Sequence, residues 1–308
     1  MRMSKVTMSQ LEILIAVVQA GSFSGASFEL NCTQSRISHS ISELERHVGG
    51  RLLIRSRTGC SPTLLGHQVI AKAKQILSLA DEISQMSRTD NEIRGTVRVA
   101  CIRSVATHVL PHVVEALAER HPGIHLEILD NCHSYGQVVD VIRQEGADIG
   151  ITRVDAGDLE GGRPFISDPY VVVAPASLEL QSPACPDQLA DVPFISMQQP
   201  GSEWIVEQCR SAGFARRIVR QLSSESGVVA MVCRGLGYTV IPWLTAYPDS
   251  IAAQILPLPF PVRRQLTLLT CKSSENSRQV RIATKFIMDR QLLESTGVWR
   301  SSIIKIDF

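Results

Sequence analysis

Hydrophobic periodicity changes character at Gly95, and this switch constrains the fold more than any other feature of the chain. Before it, apolar residues recur at three- and four-residue steps, the spacing of one helix face. Beyond it, short apolar runs alternate with helical segments, the pattern of a mainly parallel sheet with covering helices. One compact core does not serve both patterns across 308 residues, so two or three domains are expected.

The N-terminal part predicts three short helices and a hairpin. Thr7 and Gln10 are spaced as a capping box ahead of Leu11, Leu14, Ile15 and Val18, with Gly21 as the stop. Ser22 caps a second helix with Phe23, Ala26 and Leu30 inward, and Asn31-Cys32-Thr33 turns into a third. That third helix carries Ile37, Ile41, Leu44 and Val48 on one stripe. At about 100° per residue, Ser35, His39, Ser42 and Arg46 point the other way, with Arg36 and Ser38 on the flanks. Short hydroxyls, an amide at Gln34, an imidazole and guanidinium groups make a poor core and a good surface for a DNA groove. Hydroxyls and the helix N-terminus suit phosphates, while Gln34, Arg36 and His39 suit base edges. After Gly49-Gly50, residues 51–63 read as a two-stranded wing with a basic tip, where Arg55 or Arg57 would enter a minor groove or clamp its phosphates.

From Thr63 to Met86, Leu65, Val69, Ile70, Ala73, Ile76, Leu77, Ala80, Ile83 and Met86 predict one long amphipathic helix. A helix leaving a small domain has no core to cover such a stripe, so the same helix of a second subunit is its expected partner. Residues 87–94 read as a linker.

Past Gly95, strands are expected over 96–101, 124–129 and 147–152, and again over 170–174, 193–196, 218–222, 237–241 and 265–270. Helices are expected over 109–121, 135–145, 202–212, 227–234 and 277–294.

Residues 1–63 hold seven Lys/Arg against four acids, an excess of three, while the whole chain has a net charge of only +1. A polyanion-binding surface belongs at the N-terminus, and its charge is too modest for coating nucleic acid indiscriminately. No run approaches the length of a membrane span, and no export signal is evident, so a cytoplasmic protein with no membrane partner is expected. Eight scattered cysteines, Cys32, Cys60, Cys101, Cys132, Cys185, Cys209, Cys233 and Cys271, suit free thiols in a reducing compartment.

A distributed pattern resembles the LysR family of transcription regulators. It runs through Gly21-Ser22-Phe23-Ser24-Gly25-Ala26, Leu30, Thr33-Gln34-Ser35-Arg36-Ile37-Ser38, Leu44-Glu45, Gly49, Leu52-Leu53-Ile54-Arg55 and Pro62-Thr63-Leu64-Leu65-Gly66. The chain departs from the family's usual residues at Ser27, Ser35, Leu53 and Leu65; Ser35 opens the third helix, where base preference would shift.

The resemblance implies an N-terminal winged helix-turn-helix (1–63), a linker helix and hinge (64–94) and an α/β effector-binding domain (95–308) of two Rossmann-like lobes of the periplasmic-binding-protein type. Lobe one would be 95–167 plus 268–295, lobe two 168–267, with 296–308 a tail whose Ile303-Ile304-Lys305-Ile306 run would either add to a sheet edge or be disordered. Thr33, Gln34, Ser35, Ser38 and His39 would approach promoter DNA, with Arg55 or Arg57 from the wing. The chain would dimerise through the linker helix, assemble as a homotetramer, and control access of RNA polymerase.

An effector between such lobes sits at strand carboxyl ends and helix N-termini. This nominates Ile102, Arg103, Ser104 and Thr107, then Thr152 and Arg153, and from the second lobe Ser196, Gln198, Gly201, Ser202, Ser224, Glu225 and Ser226. Serine hydroxyls and arginines suit a carboxylate or another oxyanion. No cofactor is expected beyond this small-molecule co-inducer, and no metal site: His108 and His112 lack a third ligand. No spacing supports a catalytic nucleophile and base, so the chain is not expected to be an enzyme. The rival readings are a cytoplasmic solute-binding protein and a thiol-based redox sensor built on the same two lobes; Cys101 and Cys132-His133 are the sensor candidates, against a packing role.

Overall fold

The computed structural model describes residues 6–56, 59–85, 93–154, 161–198, 203–247 and 252–308. Contacts divide the chain into two units, Met1–Thr89 with Asn276–Arg278, and Asp90–Glu275 with Gln279–Phe308.

In the first unit, α1 (Met8–Gln19), α2 (Phe23–Glu29) and α3 (Gln34–Val48) enclose a core of Leu14, Val17, Ala26, Ile37 and Leu44. Local chemistry sets each boundary. Thr7 and Gln10 form the reciprocal capping box, Ser22 Oγ accepts the Gly25 N–H, and Thr33 Oγ1 accepts the Arg36 N–H. Gly49 closes α3 at φ +86°. The wing follows as β1 (Leu53–Ser56) and β2 (Gly59–Pro62), antiparallel, with Arg55 opposite Cys60. Leu30, expected inward, is the C-cap of α2 and is 40% exposed, because the helix ends before its side chain can turn to the core.

Thr63 joins the wing to α4 (Leu64–Gln85): its hydroxyl donates to Arg51 O and accepts the Gly66 N–H. Gly66 cannot be anything larger, since a Cβ there would lie 2.0 Å from Leu52 O. Ile70 and Ala73 of α4 pack on the core, while Ile76, Leu79 and Ile83 are exposed.

In the second unit, lobe one is a sheet of β3 (Gly95–Cys101), β4 (Ile124–Leu129), β5 (Ile149–Thr152) and β11 (Arg263–Thr270), in the order β11-β5-β3-β4. It is covered by α5 (Arg103–His108), α6 (Leu110–Arg120), α7 (Tyr135–Arg143), α11 (Arg278–Ile287) and α12 (Arg290–Glu294). The strand β6 (Arg163–Pro175) belongs to both lobes: its first half pairs with β11, its second with β9 (Thr239–Pro242) and β10 (Ala253–Pro257). Lobe two adds β7 (Phe194–Met197), β8 (Ile218–Leu222), α8 (Glu203–Ser211), α9 (Glu225–Cys233) and α10 (Trp243–Ala246).

Three expectations change, and one open alternative is decided. The sequence-based end of lobe two at 267 falls inside β11, whose pairing with β6 starts at Arg263, so the return crossing lies just before that residue. The helix expected over 277–294 is two helices, because Asp289 Oδ1 accepts the Leu292 N–H and starts a new cap. Another short helix, α5, precedes the one expected over 109–121. The segment 296–308 is integral to lobe one: α13 (Gly297–Arg300) and β12 (Lys305–Ile306) bury Val298, Ile303, Ile304 and Ile306, and β12 pairs with β6 at Ser167 and Ile166.

Candidate DNA-binding face and inter-lobe cleft

On α3 the apolar stripe of Ile37, Ile41 and Leu44 is buried, and Thr33, Gln34, Ser35, Arg36, His39 and Ser42 are exposed. Their side chains divide into two sets. Thr33 and Ser35 hydroxyls bond to each other at 3.0 Å, Ser42 Oγ donates to Ser38 O at 2.9 Å, and Ser38 Oγ accepts from Arg55 Nη2 at 3.0 Å. Gln34, Arg36 and His39 have no side-chain hydrogen bond or ion pair among the described residues, so their donors and acceptors face outward.

Arg55 also stacks on Phe23, with Cζ 3.8 Å from the ring centroid. Its expected role is to enter a minor groove or clamp its phosphates; here cation–π and hydroxyl contacts hold it across α2 and α3. Arg57, the other arginine expected at the wing, lies outside the described residues. Glu45 holds the wing's root, its Oε1 accepting the N–H groups of Leu52 at 2.8 Å and Leu53 at 3.3 Å. The β2 strand is tied to the α1–α2 turn by Cys60 N–H donating to Gly21 O at 2.7 Å.

Between the lobes lies an ion pair that the sequence did not announce. Arg264 of β11 and Asp168 of β6 are each 1% exposed and meet through two hydrogen bonds, Nε to Oδ1 at 2.9 Å and Nη2 to Oδ2 at 3.1 Å. Asp168 Oδ2 also accepts the Leu244 N–H of α10, and Arg264 Nη2 donates to Ser104 Oγ of α5. Burial disfavours the guanidinium's charge, but Asp168, with Tyr135 and Tyr170, outweighs it and holds Arg264 above its ordinary value. Its sequence-level signal is slight: Asp168 interrupts the apolar residues of β6, and Arg264 is the second of two arginines that open β11.

The first-lobe candidates gather around this pair unevenly. Ser104 touches Arg264, and Thr152 Oγ1 donates to Tyr135 O at 3.2 Å. The Arg153 guanidinium lies over Trp204 of α8 (4.7 Å) and Tyr135 of α7 (5.9 Å), linking the lobes. Arg103 is exposed on the first turn of α5, while Thr107 returns its hydroxyl to Arg103 O. Ile102 is corrected to core: its side chain packs in lobe one.

From lobe two, Glu225 at the start of α9 feels Arg264 and Arg103, yet burial pushes its carboxyl above the ordinary range. Ser224 caps α9 and bonds to Ser226 at 3.0 Å. Ser196 and Gln198 line a different hollow, of about 670 Å³, together with Trp204 and Glu207. Gly201 and Ser202 lie outside the described residues. Sequence reasoning missed Tyr135 and Tyr170, which line an inter-lobe cavity of about 20 Å³.

The thiols behave as packing residues. Cys101 and Cys132 are buried in lobe one; burial pushes the Cys101 thiol up to about 12 and raises Cys132 as well, which suppresses the reactive thiolate. His108 packs edge-on against Tyr247.

Comparison with known proteins decides the family. Residues 8–67 match the bacterial regulatory helix-turn-helix protein model of the lysR family, and residues 90–291 match the LysR substrate binding domain. The chain belongs to the LysR family. It is a DNA-binding transcription regulator with an effector-binding domain. It is similar to the probable HTH-type transcriptional regulator LrrA of Synechococcus elongatus, at 32% identity over 82% of this chain and 87% of that one. A full-length OxyR variant from Pseudomonas aeruginosa shares the fold, with TM-score 0.70, 20% identity and 96% of both chains covered. So does full-length CbnR complexed with its target DNA, with TM-score 0.64, 19% identity, and 92% of this LysR-family chain and 99% of CbnR covered.

Proposed function

We propose that this LysR-family regulator reads promoter DNA with Gln34, Arg36 and His39, and that a small anionic effector bound between the lobes controls the outcome. The observation that carries the reading is the division on α3: three groove-competent side chains are unengaged, while the neighbouring hydroxyls and Arg55 brace the helix and wing. Thr33 and Ser35 at the helix N-terminus then serve phosphates, and the three outward side chains serve base edges.

For the effector, Arg153, Arg103 and Ser104 supply the anion's partners, and Trp204 with Tyr135 supplies apolar walls. The cavity of about 20 Å³ beside Tyr135 and Tyr170 holds roughly one water, and a larger ligand at that point needs the lobes to part about the β6 crossing. Effector binding therefore selects between open and closed lobes. Exposed Ile76, Leu79 and Ile83 on α4 support a homodimer through that helix, on which a homotetramer is built. The protein works in the cytoplasm with RNA polymerase, has no resident cofactor and is not an enzyme.

The test is fluorescence anisotropy of the full-length protein on the promoter beside its own gene, across a salt series. His39→Ala and Gln34→Ala should flatten discrimination between operator and scrambled sequence by about 1–3 kcal/mol each. Equal loss on every sequence would refute the base-reading roles. Thermal shifts with small carboxylates and amino acids test the cleft, and Arg153→Ala should abolish any such shift.

A further inference from the structure

We propose a second ligand site in lobe one, separate from the inter-lobe cleft, for an organic anion with an apolar body. A cavity of about 1030 Å³ opens where the end of α7, the start of β6, the end of β11 and the side of α11 meet. Its position follows from the register of β11 on β5: Thr267 lies opposite Thr152 at the cleft end, and Thr270 lies opposite Ile149 at the other. The cavity takes Thr270, Cys271 and Lys272 as wall, so it sits at the pole away from Thr152 and Arg153.

Its chemistry has two parts. Ile142, Leu269, Val280 and Met288 provide apolar surface. Around them stand Arg143, Arg163, Lys272, Arg281 and Lys285, against Glu145 and Glu275, an excess of three positive charges. Arg163, Lys272, Arg281 and Lys285 are exposed and have no carboxylate partner among the described residues. Arg281 and Lys285 are four residues apart on α11, where like charges repel unless an anion bridges them.

The backbone keeps the cavity open. Gly162 admits no side chain, because a Cβ would meet Thr267 Cγ2 at 2.6 Å; a Cβ at Gly161, at φ +94°, would meet nothing within 4 Å. The volume is that of a site for a whole organic molecule, at the upper limit of the roughly 300–1,000 Å³ range of such pockets. A bare inorganic ion would satisfy the cations and leave the apolar wall wet. An aromatic or acyl chain ending in a carboxylate, sulfonate or phosphate satisfies both.

The experiment titrates the full-length protein with anilinonaphthalene sulfonate, read by fluorescence, and competes it with naphthoate and with inorganic phosphate. The expected result is one saturable site, displaced by naphthoate at least about tenfold more effectively than by phosphate. The pair Arg281→Glu and Lys285→Glu should weaken probe binding by about tenfold or more, while Arg281→Lys with Lys285→Arg retains it and Arg153→Ala leaves it unchanged. The proposal is overturned if charge reversal leaves probe affinity unchanged, or if Arg153→Ala abolishes binding, which would place the probe in the cleft. Phosphate competing as well as naphthoate would reduce the site to a charge patch. Loss of DNA affinity with a shallower salt slope in the reversed pair, without loss of the probe, would identify these cations as a polyanion contact and overturn it equally.

Discussion

Replacing Asp168 by alanine removes the carboxylate that is hydrogen-bonded to the buried Arg264. Three N–H groups lose their acceptor: Arg264 Nε, Arg264 Nη2 and the Leu244 amide. Among the described residues the guanidinium keeps the Ser104 hydroxyl as its hydrogen-bond partner. Breaking a buried pair from one side costs about 3–5 kcal/mol, because an uncompensated charge stays in a medium of low polarisability. For a unit of this size, that lowers Tm by about 6–20 °C, at about 2–4 °C per kcal/mol. All three tryptophans, Trp204, Trp243 and Trp299, lie in the effector-binding unit, so their fluorescence follows its unfolding within the full chain.

The companion is the double variant Asp168→Leu with Arg264→Met, which removes both charges. Its remaining deficit is chiefly the orphaned Leu244 amide, about 1–3 kcal/mol. The double variant should therefore be more stable than Asp168→Ala or comparable to it, and far from the sum of two single losses. An Asp168→Ala loss below about 1 kcal/mol, or strictly additive losses in the cycle, would refute the view that desolvation of a paired charge governs this hinge.

Three further outcomes follow. Glu225 has its folded-state carboxyl raised by burial, so as pH rises above its ordinary value of 4.5 the unfolded chain ionises first and stability falls until the folded-state group also ionises. Glu225→Gln should remove that decline in plots of Tm against pH; an unchanged profile would exclude Glu225 as its source. Gly66→Ala sets a Cβ 2.0 Å from Leu52 O and should cost the DNA-binding unit at least about 3 kcal/mol, visible as lost amide protection in α3 and α4. Glu45→Ala removes the acceptor for two wing amides and should cost about 1.5–3 kcal/mol, with DNA affinity falling alike on all sequences.

Much of the first unit was legible because its determinants are neighbours in sequence. The Thr7–Gln10 box, the Ser22 and Thr33 caps and the Gly49 stop act over three or four residues, and the α3 stripe names its own buried side. Arg55 was the exception there. It reads as a free basic arm, but Phe23 and Ser38, distant in sequence, occupy its guanidinium. In the second unit the alternation of strands and helices was readable, whereas the course of β6 was not, since neither half of the strand records which partners it pairs with.

The sequence by itself therefore determined the helix boundaries of the first unit, its apolar faces and the order of the two units, all consequences of backbone geometry and short-range capping. Only the tertiary structure decided that Asp168 and Arg264, 96 residues apart, meet as a buried pair, that the C-terminal segment completes lobe one, and that cations from three elements and the turn after β11 surround one cavity. Those features depend on which strands become neighbours, and strand pairing is a property of the whole packed chain rather than of any window along it.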